Sequence, residues 1–346
     1  MNDVKNIVVR ATNWVGDAVM NTPAVLAVRT SFPNARITIL AKPWVAGVFE
    51  NNPSVHSIIH LAKQDLNFPL GPWHLGRRLK REDFQRSYIL PNSFSSALSM
   101  SLARIPERIG YALQHRSLLL TQPVRVTPEL LSCHQVFYYL GLIPEAQLTP
   151  DECHPRLYLS QQERSDAESL LASEGIAPNE TLIGVGPGAV YGPAKRWPEE
   201  RFASVIKRLA GDGNRRFLLF GSPSERSIAE KVASLSGVVC VNFAGKTTLR
   251  ELISLLERCC IFLTNDSGAM HIAAALRVPV VAVFGSTNPV TTSPYGDGHL
   301  LIRHPVPCSP CLKRECPTDF RCMLEITPEE VAEACELQLH RRKSTE

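Results

Sequence analysis

Apolar, strand-like runs alternate with amphipathic segments along the whole chain of 346 residues. In order, the runs occupy residues 7–9, 37–40, 57–60, 88–90, 108–111, 182–185, 217–220, 238–241, 261–263, 280–284 and 300–302. This alternation is typical of βα units, in which helices connect the successive strands of a parallel sheet. We therefore predict the α/β class, with doubly wound parallel sheets.

A break in this pattern divides the chain into two halves. Residues 144–155 contain three prolines and several acids, and the full length exceeds what one core usually supports. We predict a Rossmann-like domain at 1–160 and a second at 161–326, facing each other across a cleft. Residues 327–346 begin with a capping pattern, Thr-Pro-Glu-Glu, which predicts a C-terminal helix that packs back on the N-terminal domain.

The composition is that of an ordinary globular protein, with 44% hydrophobic and 20% charged residues. No apolar stretch approaches the roughly 20 residues that span a bilayer, and the N-terminus lacks a signal-peptide pattern, so we expect a cytoplasmic protein. Between Gly76 and Arg125, nine Arg or Lys residues face only three acids. This excess favours an anionic partner such as phosphorylated lipid or a membrane surface. An exposed face with scattered ion pairs has the same composition.

One carboxylate in the first half lies where a parallel sheet presents its ligand-binding edge. The sequence Asn13-Trp14-Val15-Gly16-Asp17 follows the first apolar run and precedes a helix-like segment. Because ligands bind at the carboxyl ends of such strands, Asp17 is a candidate general base. The alternative is an N-cap, since aspartate before a helix accepts hydrogen bonds from its first N–H groups.

In the second half, a glycine loop and a basic pair follow the run at 182–185. The loop is Gly186-Pro187-Gly188-Ala189, and Lys195 and Arg196 stand just before a helix that Pro198 is expected to open. Glycines allow a close backbone approach to phosphate, and an anion is favoured at a helix start. A turn with exposed basic side chains is the alternative.

A second loop, Asn265-Asp266-Ser267-Gly268, follows the run at 261–263 and opens another predicted helix. The first N–H groups of that helix form a candidate pyrophosphate cradle. Asp266 either caps the helix or accepts hydrogen bonds from sugar hydroxyls, and His271, one turn later, is a candidate phosphate or sugar contact or a structural histidine. The absence of GxGxxG argues against a dinucleotide site.

Further candidates occupy the two remaining turns on this edge. Glu225 either accepts a ribose hydroxyl pair or only favours the dipole of its own helix. Lys246 and Thr247 precede the next predicted helix and are candidates for adenosine contacts.

Ten cysteines in a cytoplasmic chain argue for thiols or metal rather than disulfides. Four of them, Cys308, Cys311, Cys316 and Cys322, lie close together in sequence. Four thiolates can bind zinc or an iron–sulfur cluster, but the spacing matches no common pattern. Reduced thiols that pack a loop are the favoured interpretation.

Together, the Asn13–Asp17 motif, the Lys195-Arg196-Trp197-Pro198 loop, Ala244–Thr247, Asn265–His271 and the cysteine tail resemble the ADP-heptose:lipopolysaccharide heptosyltransferases. These are glycosyltransferases of GT-B architecture, and the resemblance covers essentially the whole chain. Trp14 and the cysteine tail fit the branch that adds the second heptose better than the branch that adds the first.

The resemblance implies inverting transfer by direct displacement. Asp17 is then the base that deprotonates the acceptor hydroxyl, and Lys195 neutralises the ADP leaving group. The remaining implied donor contacts are Gly186, Gly188, Ala189, Arg196, Glu225, Lys246, Thr247, Asp266, Ser267, Gly268 and His271. The implied acceptor contacts are Asn13, Trp14, Arg77, Arg78 and Ser93. Because Gly188-Ala189 replaces paired hydroxyl residues of the first branch, backbone contacts to phosphate are expected here.

The implied partners are ADP-heptose, the lipopolysaccharide inner-core acceptor heptosyl-Kdo2-lipid A and, peripherally, the cytoplasmic face of the inner membrane. No nucleic acid is expected, and no cofactor is required, with magnesium at most stimulatory and zinc an alternative at the cysteines. The other hypotheses are a family member with a different core acceptor, a nucleotide-sugar epimerase and a non-catalytic nucleotide-sugar binder.

Overall fold

The computed structural model describes residues 4–211 and 214–343. Contacts divide the chain between Tyr158 and Leu159, near the boundary predicted at residue 160. Each part contains a six-stranded sheet whose strand pairs all run parallel. The predicted α/β class is confirmed. Among the described residues, no helix is both long and apolar enough to cross a membrane.

The first domain has the strand order β3-β2-β1-β4-β5-β6. Its strands are β1 Asn6–Arg10, β2 Arg36–Ala41, β3 Ser57–His60, β4 Arg86–Ile89, β5 Glu107–Tyr111 and β6 Gln122–Val124. Five of them match predicted runs. The sixth was missed because it is short, lies at the sheet edge and contains a proline, which lacks the N–H that a central strand needs.

Among the described residues, the first domain has seven α-helices, of which the last two follow its final strand. The seven helices are α1 Val15–Met20, α2 Thr22–Ser31, α3 Pro43–Ala46, α4 Gly71–Leu79, α5 Phe94–Leu102, α6 Pro128–Ser132 and α7 Gln135–Leu140. Apolar residues of α4 and α5 pack with buried residues of β1 and β4, including Leu75, Met100, Val8 and Ile89. Because β2 and β4 flank β1, the loops after β1 and β4 diverge at the carboxyl edge, where doubly wound sheets bind ligands.

The second domain repeats this plan with the order β12-β11-β10-β7-β8-β9. Its strands are β7 Thr181–Gly186, β8 Arg215–Leu219, β9 Cys240–Asn242, β10 Ile261–Asn265, β11 Val280–Val283 and β12 Leu300–Ile302. Its helices are α8 Gln161–Ser173, α9 Glu199–Leu209, α10 Arg226–Ser236, α11 Leu249–Glu257, α12 Gly268–Ala275, α13 Pro289–Thr292, α14 Arg321–Leu324 and α15 Pro328–Lys343. Here the connections reverse between β7 and β10, so the loops at Pro187 and Asp266 diverge at the carboxyl edge.

The C-terminal helix α15 belongs to the second domain, which corrects the expectation that it packs on the first. Val331, Cys335 and Leu339 are buried in the same core as Phe202 of α9. These residues recur every fourth position and so form one helix face. Arg215 of β8 adds two contacts to the Glu336 carboxylate, at 2.5 and 2.8 Å. The helix therefore covers one face of the second sheet.

Candidate active site

Asn265, the last residue of β10, fastens the loop after β7 to the neighbouring strand. Its Nδ2 donates to the carbonyls of Pro187 and Gly188, at 2.8 and 3.3 Å, and its Oδ1 accepts from the Trp197 N–H at 3.0 Å. Its side chain is fully buried. The glycine loop and the segment before α9 are thereby fixed beside β10. Sequence reasoning assigned Asn265 no role, although a polar residue ending a buried strand is a usable signal.

Lys195 and Asp266 form a buried ion pair at the point where the second sheet reverses. Lys195 Nζ lies 2.6 Å from Asp266 Oδ2, and their side chains are 13% and 5% exposed. Thr287 Oγ1 donates to the same oxygen at 2.7 Å. Asp266 is not the cap of α12, because Ser267 holds that position and accepts from the Met270 N–H at 3.4 Å. The two candidate charges therefore meet beside a helix N-terminus.

Gly186, at the end of β7, and Gly188, in the loop that follows, are closely packed. A Cβ at Gly186 would lie 2.8 Å from the side chains of Phe262 and Thr264, and one at Gly188 would collide with the Glu225 carboxylate. Arg196 turns back on this loop, since its Nε donates to the Ala189 carbonyl at 3.2 Å. The phosphate contacts expected of Gly186, Gly188 and Arg196 stay predictions.

Glu225 lies in the first turn of a short helix, as the alternative interpretation predicted. Its Oε2 accepts from both the N–H and the hydroxyl of Ser222, each at 2.8 Å, in a capping box at the start of a short 3-10 helix. Its carboxylate nevertheless lies beside Gly188 on the ligand-binding edge. Lys246 is exposed and Thr247 half-buried in the turn before α11. Their adenosine roles also stay predictions, as does that of His271, which is buried in α12.

The Tyr191 ring packs against the Lys195 ammonium, a contact that the sequence did not indicate. Lys195 Nζ lies 4.8 Å from the centre of the Tyr191 ring, and the Arg314 guanidinium lies 5.3 Å from it. The Tyr191 hydroxyl donates to the Leu312 carbonyl at 2.8 Å, and the Ala194 N–H donates to that of Arg314 at 3.0 Å. The cysteine-rich segment therefore holds the lysine loop in place.

The four clustered cysteines line one cavity of about 130 Å³ in this segment. Burial raises the pKa of the Cys322 thiol, and a hydrogen bond with Thr318 lowers that of Cys316. Within residues 4–211 and 214–343, no three Cys, His, Asp or Glu side chains are arranged to hold a metal ion. Cys322 lies under Gly285, where a Cβ would come within 3.1 Å of its sulfur.

In the first domain, Asp17 is the third residue of α1 and not its cap, which corrects that alternative. The helix begins earlier, at Val15, with Trp14 in the cap position. The Tyr139 hydroxyl on α7 donates to Asp17 Oδ1 at 3.1 Å. Burial and the Asp17 carboxylate raise the pKa of Tyr139 well above its usual value, so Tyr139 remains a donor. This hydrogen bond orients the carboxylate.

Asn13 and Ser93, two predicted acceptor contacts, are engaged within the domain. Asn13 Oδ1 accepts from the buried Arg10 guanidinium at 2.7 Å. Ser93 caps α5 and accepts from the Ser96 N–H at 3.3 Å. The loop before α5 is held by Arg116, which is fully buried and donates to the carbonyls of Pro91 and Tyr111.

We expect Arg116→Met to destabilise the first domain by about 1–3 kcal/mol, because it leaves buried carbonyls without donors. Urea unfolding of the purified variant measures this, with the exposed Arg36→Met as its control. Equal stability of both variants would remove Arg116 from this structural role.

Only some of the cationic side chains between Gly76 and Arg125 are exposed and able to contact an anionic partner. Five of its nine cationic residues are exposed, and these are Arg77, Lys80, Arg81, Arg104 and Arg125. Arg78, a predicted acceptor contact, pairs with the buried Asp65 at 3.0 Å. Arg77 instead lies exposed over the ring of Trp73, at 4.7 Å.

Two Rossmann-like domains, with a carboxylate at the ligand edge of the first and a cation beside a helix start in the second, fit a glycosyltransferase of GT-B architecture. A family model described as glycosyltransferase family 9 (heptosyltransferase) matches residues 72–320. The chain belongs to this family.

Similarity to individual proteins extends along nearly the whole chain. It is 33% identical to lipooligosaccharide heptosyltransferase 2 of Haemophilus influenzae, over 86% of this chain and 88% of that protein. It is 31% identical to lipopolysaccharide heptosyltransferase 2 of Escherichia coli, over 94% of this chain and 96% of that protein. The structure of Escherichia coli ADP-heptose lipopolysaccharide heptosyltransferase II superposes with a TM-score of 0.83 at 29% identity, over 98% of this chain and 99% of that one.

Proposed function

We propose that the chain transfers heptose from ADP-heptose to the first heptose of the lipopolysaccharide inner core, with inversion at the transferred carbon. Relatives named heptosyltransferase 2, similar along nearly their full lengths, support this choice of acceptor. Within family 9, an enzyme that acts on a different core acceptor is the remaining alternative.

The observation that carries the proposal is the Lys195–Asp266 pair beside the N-terminus of α12. As the bond to the anomeric carbon breaks, negative charge grows on the departing diphosphate. The Lys195 ammonium and the first N–H groups of α12 stabilise that charge in the transition state. Lys195 also screens the diphosphate from the Asp266 carboxylate, which is then able to accept hydrogen bonds from heptose hydroxyls. These groups supply the positive charge without a required metal, and magnesium is at most stimulatory.

Displacement also requires that the acceptor hydroxyl lose its proton. Asp17 suits this step, because it is a half-buried carboxylate at the ligand-binding edge of the first sheet. The Tyr139 hydroxyl holds it in one orientation without competing for a proton. A fixed base aligned with the incoming hydroxyl lowers the barrier through both orientation and proton transfer.

The acceptor carries acyl chains that anchor it in the inner membrane. We therefore propose that the protein works peripherally at the cytoplasmic face of that membrane, with exposed cations such as Arg77 and Arg81 near the acceptor phosphates.

Measurement of ADP release with two acceptors tests the proposed function. We expect release from ADP-heptose with heptosyl-Kdo2-lipid A and only background release with Kdo2-lipid A. The reverse preference would identify an enzyme that adds the first heptose. Release that needs no acceptor would indicate hydrolysis, and binding of ADP-heptose without release would indicate a non-catalytic protein.

A further inference from the structure

The segment that follows β3, from the end of a short 3-10 helix into the first turn of α4, exposes four large apolar side chains. Leu66, Phe68, Leu70 and Trp73 are 39%, 68%, 63% and 45% exposed. Such side chains usually occur singly on a soluble surface, and a contiguous group marks an interaction site. We refer to residues 66–73 as the apolar loop.

The apolar loop is held in a defined shape. Asp65, whose side chain is 1% exposed, pairs with Arg78 at 3.0 Å and accepts from the Ala62 N–H at 2.8 Å. At the other end, the Gly71 N–H donates to the Asn67 carbonyl at 2.5 Å. A Cβ at Gly71 would lie 2.5 Å from the Asp65 carbonyl oxygen, so only glycine fits there. The exposed apolar side chains are therefore a feature of a braced structure.

Cationic residues flank the apolar loop in the sequence. Lys63, Arg77, Lys80 and Arg81 are exposed near it in the sequence, and Arg77 stacks on Trp73. The neighbouring exposed acids are Glu82 and Asp83, while Asp65 is neutralised by Arg78. Apolar and aromatic side chains next to Lys and Arg are the composition of surfaces that bind the head-group region of anionic bilayers.

The position of the loop in the fold links it to the proposed base. Strands β3, β2 and β1 are parallel neighbours, so the loops after them emerge at the same edge of the sheet. The short helix α3, directly after β2, carries Trp44, 53% exposed, with Lys42 Nζ 4.7 Å from its ring. The loop after β1 carries Trp14, 54% exposed, and leads to Asp17. Exposed aromatic residues thus continue from the apolar loop toward Asp17.

We propose that the apolar loop is a membrane-docking element that inserts Leu66, Phe68 and Leu70 into the head-group region of a bilayer containing anionic phospholipid. Arg77 and Arg81 then contact lipid phosphates. Docking at this edge brings the sugar of a lipid-anchored acceptor to Asp17; this consequence rests on the proposed function, whereas the docking itself does not.

Sedimentation with lipid vesicles, in the absence of donor and acceptor, tests the docking. We expect the protein to bind vesicles of phosphatidylethanolamine and phosphatidylglycerol more tightly than vesicles of phosphatidylcholine. The double variant Phe68→Ser/Leu70→Ser should lose at least about tenfold in binding, because two apolar side chains no longer enter the bilayer. A matched control, Leu235→Ser/Val239→Ser, removes exposed apolar side chains from the second domain and should bind as the unaltered protein does.

Two results would overturn the docking proposal. The first is equal vesicle binding by Phe68→Ser/Leu70→Ser, with both variants unfolding at the same temperature as the unaltered protein. The second is loss of transfer by this variant to a deacylated, water-soluble acceptor, since the loop would then belong to the sugar site. We expect that variant to lose activity only toward acceptor embedded in vesicles. If the unaltered protein binds vesicles but transfers no heptose, the proposed function fails and the docking stands.

Discussion

Replacement of Asp17 by asparagine is expected to lower kcat by at least about 10²-fold, in the range for loss of a general base. The affinity for ADP-heptose should not change, because the proposed donor contacts lie in the second domain. An amide has nearly the same shape and still accepts the Tyr139 hydrogen bond, but it takes no proton from the acceptor. Since Asp17 does not cap α1, the variant should fold normally.

Steady-state kinetics together with calorimetric titration of the donor separate these effects. Asp166→Asn, an exposed aspartate of α8, is the matched control and should retain full activity. Tyr139→Phe removes only the positioning hydroxyl and should have an intermediate kcat. An Asp17→Asn enzyme with unaltered kcat would show that another group accepts the proton.

Replacement of Lys195 by alanine is expected to weaken donor binding and turnover together, with a loss of about 10²–10³-fold in kcat. This is the range observed when one donor to a developing anion is removed. The change also leaves the buried Asp266 carboxylate with Thr287 but without its cation. We therefore expect a loss of stability of about 1–3 kcal/mol.

A second variant tests whether the loss of stability comes from the unpaired Asp266 carboxylate. Lys195→Ala/Asp266→Asn removes the unpaired charge and should recover stability but not activity. The exposed Lys207→Ala on α9 is the control for loss of a lysine. Normal donor affinity and normal kcat in the folded Lys195→Ala enzyme would remove Lys195 from the leaving-group site.

Local sequence patterns were sufficient for the elements that position the site. Eleven apolar runs correspond to strands of the two sheets, because buried parallel strands are apolar along their length. The edge strand β6 was not predicted, because its short sequence has no apolar run and its pairing depends on its neighbour β5. The domain on which α15 packs was predicted wrongly, because its capping pattern marks where the helix begins and not which core buries Val331 and Cys335.

The contacts that define the site were harder to predict from the sequence, since they join residues far apart in the chain. Lys195 and Asp266 were each recognised from their loops, but their pairing across 71 positions follows from the strand order. Tyr139 approaches Asp17 across 122 positions, and neither it nor Tyr191 lies in a motif. Cap assignments for Asp17 and Asp266 were wrong because each helix has another residue, Trp14 or Ser267, at its cap.

The anomeric configuration of the transferred heptose tests the central claim most directly. If Asp17 activates the acceptor while Lys195 stabilises the departing diphosphate in one displacement, NMR of the product should show the configuration opposite to that of the donor. A product that retains the donor configuration would contradict a single displacement and the roles assigned to both residues.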